Sequence, residues 1–157
     1  MAKLDLTEIP RRTSTIYPAP HDAEVAGRSS LRLGDAGGLT QFGVNIVILK
    51  AGAKSSLRHW HMNEDEFVMM MAGTCTLVMD DGETEMRPGD CAAFPAGVAN
   101  GHRLINRSSG EARFLVVGSK APHETAYYSD HDLKVEIDDG RAVFTRRNGS
   151  PLPESGD

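Results

Sequence analysis

Cysteine is scarce in this 157-residue chain, and so are aromatic residues, long apolar runs and clustered positive charge. Each scarcity removes a class of protein. The two cysteines, Cys75 and Cys91, do not form a CxxC pair, so the chain has neither a disulfide framework nor a paired-thiolate zinc site. We read both as small buried apolar residues of a protein kept in a reducing compartment. The longest strongly apolar run, Phe67 to Ala72, is far too short to cross a bilayer. Residues 1–12 lack the apolar stretch of a secretory signal, and a cytoplasmic protein is expected. Net charge is −5, and no Lys/Arg run exceeds two residues (Arg11-Arg12, Arg146-Arg147), which argues against a nucleic-acid face. There is no internal repeat and no long segment of capped helical period.

What is present is a β pattern. Residues 1–42 have no clear period and are punctuated by Pro10, Pro18, Pro20 and the glycines of 34–38. They read as an extended arm with one short strand, lying over a barrel. From residue 43, short runs rich in Val, Ile, Leu, Phe and Thr alternate with turn signals. The expected strands are 44–49, 56–61, 66–71, 74–79, 83–87, 91–94, 101–106 and 113–118, with a last hairpin of 134–137 and 142–145. Asp81-Gly82 and Asp139-Gly140 are hairpin signals, because glycine tolerates the positive φ of a tight turn. Arg87-Pro88-Gly89-Asp90 places Pro and Gly where a type II turn requires them. The predicted division is an arm over 1–42, a barrel with C-terminal hairpin over 43–147, and a flexible tail over 148–157. So many short strands at regular spacing imply an all-β sandwich or barrel. A chain of this size buries roughly 70% of its unfolded surface, so a metal is not needed for folding and would serve function.

The chemistry starts at His59-Trp60-His61. In a strand, alternate side chains share a face, so the two imidazoles can converge on one ion while Trp60 points away to pack elsewhere. Alone the pair is weak: about 0.2 such pairs arise by chance in a chain of this histidine content. Glu66 follows a polar turn, Met62 to Asp65, and opens the next strand, which could return antiparallel beside the first. A carboxylate there would complete a three-ligand face. Glu64 and Asp65 read as solvated turn residues, and His21, His123 and His131 as surface residues of polar loops. The Tyr127-Tyr128 pair could supply an acid, although packing is the simpler role. The consecutive Met69, Met70 and Met71 cannot share a strand face and read as packing residues.

Around these residues run two longer patterns: Gly52, His59-x-His61, four residues, Glu66, six residues, Gly73; then Gly89, five residues, Pro95-x-Gly97, and later His102, three residues, Asn106. Together they resemble the two motifs of the cupin family over residues 43–119. Tyr128–Leu133 and Phe144–Gly149 are similar to the C-terminal extension of small bacterial cupins of the sugar-phosphate-isomerase-like kind. The resemblance implies a double-stranded β-helix, or jelly roll, with a metal in the barrel mouth. Its ligands would be His59, His61, Glu66 and His102. Three imidazoles and a carboxylate suit one divalent ion per chain, Zn, Fe, Mn, Ni or Co.

One departure concerns the fourth ligand. At the usual motif spacing, position 100 is Asn, a weak transition-metal donor. The spacing from His102 to Asn106 is intact, which places a two-residue insertion before the histidine. A shift of two also keeps side-chain parity, so His102 is the expected ligand. The implied function is a metalloenzyme acting on a small oxygenated metabolite, a sugar, sugar phosphate or organic acid; isomerase, lyase, decarboxylase and dioxygenase chemistries all fit such a site. The alternative is a non-catalytic cupin that binds or senses a small ligand. Glu66 facing inward turns Val68 and Met70 to the core and Phe67, Met69 and Met71 outward. An apolar outer face needs a cover, either the arm or a second subunit, and a homodimer is expected. No nucleic-acid or membrane partner is expected.

Overall fold

The structure is a computed structural model, and residues 3–153 are described. Twelve strands follow one another among them: β1 (Arg28–Arg32), β2 (Phe42–Leu49), β3 (His59–His61), β4 (Glu66–Ala72), β5 (Cys75–Met79), β6 (Gly82–Met86), β7 (Cys91–Phe94), β8 (Arg103–Ile105), β9 (Ala112–Ser119), β10 (His123–Tyr128), β11 (Lys134–Asp138) and β12 (Arg141–Thr145). Turn chemistry sets the hairpins. Met79 pairs with Gly82 across Asp80-Asp81, and Asp138 pairs with Arg141 across Asp139-Gly140, both of which have positive φ. Gly89 has φ +94°, and the Asp90 amide donates to the Arg87 carbonyl at 2.9 Å, as a type II turn requires.

Five strands form one sheet in the order β1-β2-β9-β4-β7. The opposite wall is β12-β11-β10-β3 continued by β8-β5-β6, the two parts joined where His59 bridges His102 and Lys54 bridges Ile105. All pairings are antiparallel. Inward side chains from both walls, including Val47, Leu49, Val68, Met70, Leu77, Leu104 and Phe114, make the main core. Leu57, Ala126, Tyr128, Leu133 and Val135 make a second cluster, against which Tyr17, Phe144 and Leu152 pack. The strand pattern implies this all-β architecture, and the resemblance implies its jelly-roll form.

The one short strand of the arm is β1, which pairs along its whole length with β2. Several details differ from expectation. His123, expected in a polar loop, opens β10, a strand that the sequence reading omits altogether. Only residues 59–61 of the expected 56–61 strand are extended. Glu66 does not return beside His61: β3 pairs with β10, whereas β4 pairs with β7 and β9, so the turn over residues 62–65 carries the chain from one wall to the other. Cys75 is buried as expected, but Cys91 is exposed because its register partner is the outward-facing Met69. At the C-terminus, Pro151 bridges Thr145, and the last four residues lie outside the described range.

Candidate metal centre

Three chain segments meet at the barrel mouth. β3 presents His59 and His61 from one wall. β4 presents Glu66 from the other. The loop entering β8 presents His102, held by a two-way backbone bridge to His59, with amide-to-carbonyl distances of 2.9 and 3.2 Å. His59 Nε2 and His61 Nε2 are 3.1 Å apart. His61 Nε2 is 3.6 Å from one Glu66 oxygen, and His102 Nε2 is 3.2 Å from the other. His59, His61 and Glu66 form a group tight enough to hold a metal ion. Two imidazole nitrogens this close either share a proton or face a cation, and the donor set of imidazole and carboxylate fits a divalent transition ion.

The supporting contacts aim these rings. His59 Nδ1 donates to the Leu57 carbonyl at 2.8 Å, which leaves Nε2 free to face the cluster. His102 is buried and stacks flat on Phe94, with ring centroids 3.6 Å apart. Asn100 is turned away: its side-chain oxygen accepts from the Asp80 amide at 2.9 Å, outside the cluster. Thus the structure brings His102, and not Asn100, to Glu66.

Electrostatics separates the four groups. Burial, reinforced by the charges of His102 and His61, lowers His59 to a pKa of about 3. Burial also opposes charge on His61, but the Glu124 and Glu66 carboxylates outweigh it and raise that ring to about 9. Glu66 lies far below the ordinary carboxylate range: desolvation pushes it up, but its contacts with His102 and His61 pull it further down.

Glu124 is the residue that sequence reasoning missed. Its side chain is fully buried. One oxygen accepts from the Met62 amide at 2.9 Å and the other from the Asn63 amide at 2.8 Å. The first oxygen also lies 3.5 Å from His61 Nδ1. The only available signal was alternation in His123–Tyr128, which puts Glu124, Ala126 and Tyr128 on one face. Asp65 is exposed as expected and Glu64 is half-buried; they accept from the amides of Ala96 and Ala121, each at 2.8 Å, and so clamp the turn. Glu64 also gathers with His61 and Glu124. His21 and His131 are not isolated surface residues: both contact Glu24 Oε1 at 3.3 Å.

Comparison with known proteins bears on this geometry. Residues 45–118 match the Cupin_2 family, described as a cupin domain. The crystal structure of a sugar phosphate isomerase from a cupin superfamily, from Silicibacter pomeroyi, is 60% identical; it covers 97% of each chain with a TM-score of 0.94. The chain belongs to the cupin superfamily. A structure from Acidithiobacillus ferrooxidans, described as a candidate sugar phosphate isomerase, is 25% identical over 82% of this cupin and 81% of its own chain, with a TM-score of 0.73. A polyketide cyclase from Streptomyces resistomycificus, 19% identical over 76% and 79% of the two chains with a TM-score of 0.63, shares the fold. No curated protein sequence matches the chain.

The cupin motif residues that face no ligand have structural duties. Gly73 has φ +69°, and a Cβ there would come within 2.6 Å of the Glu111 carbonyl oxygen. Asn106 is wholly buried. Its amide nitrogen donates to the carbonyls of Leu49 (2.9 Å) and Gly110 (2.7 Å), while its oxygen accepts from the Ser108 amide at 3.0 Å. Trp60 stacks on Tyr127, with ring centroids 4.8 Å apart, on the outer side of β3. Above the cluster lies a cavity of about 320 Å³, lined by the four candidate ligands, by Arg28, Asn45, Ser55 and Ser56, and by residues 14–17 of the arm.

Proposed function

We propose that this cupin is a metal-dependent enzyme acting on a small oxygenated metabolite, with a sugar phosphate as the leading substrate class. The observation that carries the proposal is the close grouping of His59, His61 and Glu66, with His102 Nε2 3.2 Å from Glu66, at a cavity of small-molecule size. His59, His61, Glu66 and His102 would hold one divalent ion, chosen among Zn, Fe, Mn, Ni and Co by availability and geometry. Such an ion polarises a carbonyl or hydroxyl oxygen of the bound ligand. This chain's own part is to orient that ligand and limit water. Val47, Leu104, Phe114 and Val116 supply an apolar wall, and residues 14–17 lie across the cavity. The substrate class is motivated by the name of the 60%-identical relative.

A second reading, a non-catalytic binder, draws support from Tyr17, which lines the cavity, and Tyr128, which packs against Tyr17 and His59. Burial pushes Tyr17 up to about 12 and Tyr128 higher still, so neither is a ready proton donor at neutral pH. The deciding experiment measures metal content of the purified protein and then turnover of sugar phosphates, keto acids and catechols. Stoichiometric metal, with one substrate consumed by the wild type and not by His59→Ala, supports the enzyme. Stoichiometric metal with ligand-induced thermal shifts but no turnover supports the binder. A protein with no bound metal, and none taken up on reconstitution, would overturn both metal-dependent readings.

We further propose a homodimer. The arm runs beside β1, where Arg12 bridges Ser30, and leaves Phe67, Met69 and Met71 exposed on the outer face of β4. The arm is therefore not their cover, and a second copy is the remaining candidate.

A further inference from the structure

One cation in the cavity has no counterpart. β1 lies against β2 with Arg28 opposite Leu49, Ser30 opposite Val47 and Arg32 opposite Asn45. Paired residues share a face, so Arg28 and Arg32 stand on the inner side with Asn45, Val47 and Leu49. Both arginines line the cavity that holds the His/Glu cluster. Arg32 is half-exposed and has Asp35 at 3.6 Å. Arg28 forms no ion pair and no hydrogen bond among the described residues, and its Nε is sealed from solvent without an acceptor. Glu66, the one carboxylate lining the cavity, is engaged by His102 and His61.

Arg28 is half-buried; an arginine stays charged there, and an Nε–H cut off from water without an acceptor is costly. Structural arginines in such positions are paired. An unpaired one facing a ligand cavity is explained when the ligand brings the acceptor. The guanidinium fork matches an oxyanion, phosphate or carboxylate, through two parallel N–H···O bonds. Ser56 and Asn45 line the same cavity and can add neutral donors.

We infer that Arg28 is the oxyanion-binding residue of the site. It takes a phosphate or carboxylate group of a small ligand whose remaining oxygens reach the His/Glu cluster. The inference deepens the proposed function by naming the ligand's charged group, and it rests on that reading for the ligand's other end only.

The test uses full-length, chelator-treated protein titrated calorimetrically with inorganic phosphate and, separately, with acetate. Working without metal makes the two readings separable. Wild type binds one of the anions saturably, and the tighter one identifies the group. Arg28→Met weakens that binding by about tenfold or more, Arg28→Lys recovers part of it, and Arg87→Met, which removes an exposed arginine outside the cavity, stays within about twofold of wild type. Circular dichroism and melting curves verify that each variant is folded. Should Arg28→Met misfold, Arg28→Lys still decides: affinity equal to wild type overturns the inference, and an intermediate loss supports it. Absence of saturable binding of either anion by wild type, or a loss in Arg87→Met equal to that in Arg28→Met, also overturns it. Native protein that never carries metal yet binds the anion through Arg28 would remove the metal reading and leave this one standing.

Discussion

Replacing Glu124 with Gln tests whether a residue outside the ligand set governs the cluster. Glu124 does two things at once: its two oxygens hold the Met62 and Asn63 amides, and one of them faces His61 Nδ1. Glutamine keeps the shape but offers one acceptor in place of two. Its NH2 group must then oppose a backbone N–H or the His61 ring. One buried donor loses its partner, at about 1–3 kcal/mol. For a domain of this size that is a fall of roughly 2–12 °C in melting temperature. Loss of the carboxylate behind His61 should weaken metal binding by about 10–100-fold, the usual effect of removing such a support. A competition titration against a chromophoric chelator reads the affinity. In metal-free protein, NMR titration of the His61 ring should find its pKa reduced from about 9, because one of the two carboxylates that favour its charged form has gone. If Glu124→Gln binds metal within twofold of wild type and leaves the His61 titration unmoved, the assignment of Glu124 as the residue that orients His61 is wrong.

Other outcomes follow from the same geometry. His102→Ala should reduce metal content as severely as His61→Ala, while Asn100→Ala should leave it nearly unchanged; the reverse order in elemental analysis would refute the assignment of His102. Gly73→Ala combines a positive φ with a backbone approach of 2.6 Å and should cost about 2–4 kcal/mol, read by chemical denaturation. Light scattering should give twice the chain mass, and charged substitutions at Phe67 and Met69 should yield monomer; a wild-type monomer at tens of micromolar, on the order of typical assay concentrations, would refute the dimer. The stability of metal-free protein should decline from pH 6.5 toward about 9. A folded pKa above the unfolded one stabilises fully below the latter and is lost as pH rises through the former. His59, with its depressed pKa, acts with the opposite sign and only below pH 6.5, so denaturation curves above neutrality isolate His61.

Sequence made local relations readable and long-range ones invisible. His59 and His61 follow from strand parity, whereas Glu66 was reached through the motif spacing that resembles the cupins. His102 was accessible because a two-residue insertion preserves parity. The pairing partner of β3 was not accessible: β10 lies more than 60 residues away, and its run His-Glu-Thr-Ala-Tyr-Tyr mixes charged, small and aromatic residues without a clean apolar face. Glu124 was lost with it, since nothing in its neighbourhood announces that it reaches Met62 and Asn63. The supposed return of Glu66 beside His61 failed for a related reason. A short polar turn suits a hairpin and a crossing between walls equally, and only the pairing of β4 with β9 and β7 chooses. Arg28 sits in the stretch with least periodicity, where parity becomes meaningful only once β1 is known to lie on β2.

The placement of charge links these residues into one site. Two carboxylates, Glu66 and Glu124, flank His61 from opposite ends of its ring, one at Nε2 and the other at Nδ1. Without metal they favour a protonated His61, which is the raised pKa. A bound divalent ion would replace that proton and be offset by the same two carboxylates. Arg28 then remains as a cation with no protein partner in the cavity. The protein would thus neutralise its proposed metal but not its arginine, and the sealed Nε–H left over by the scaffold is most cheaply satisfied by the ligand. A neutral sugar would leave Arg28 unpaired beneath the arm, whereas a phosphorylated or carboxylated one would complete both ends of the cavity. The site therefore selects for ligand charge at Arg28 and for ligand oxygen at the histidines. These selections are separable by mutation because they reside on different walls of the barrel.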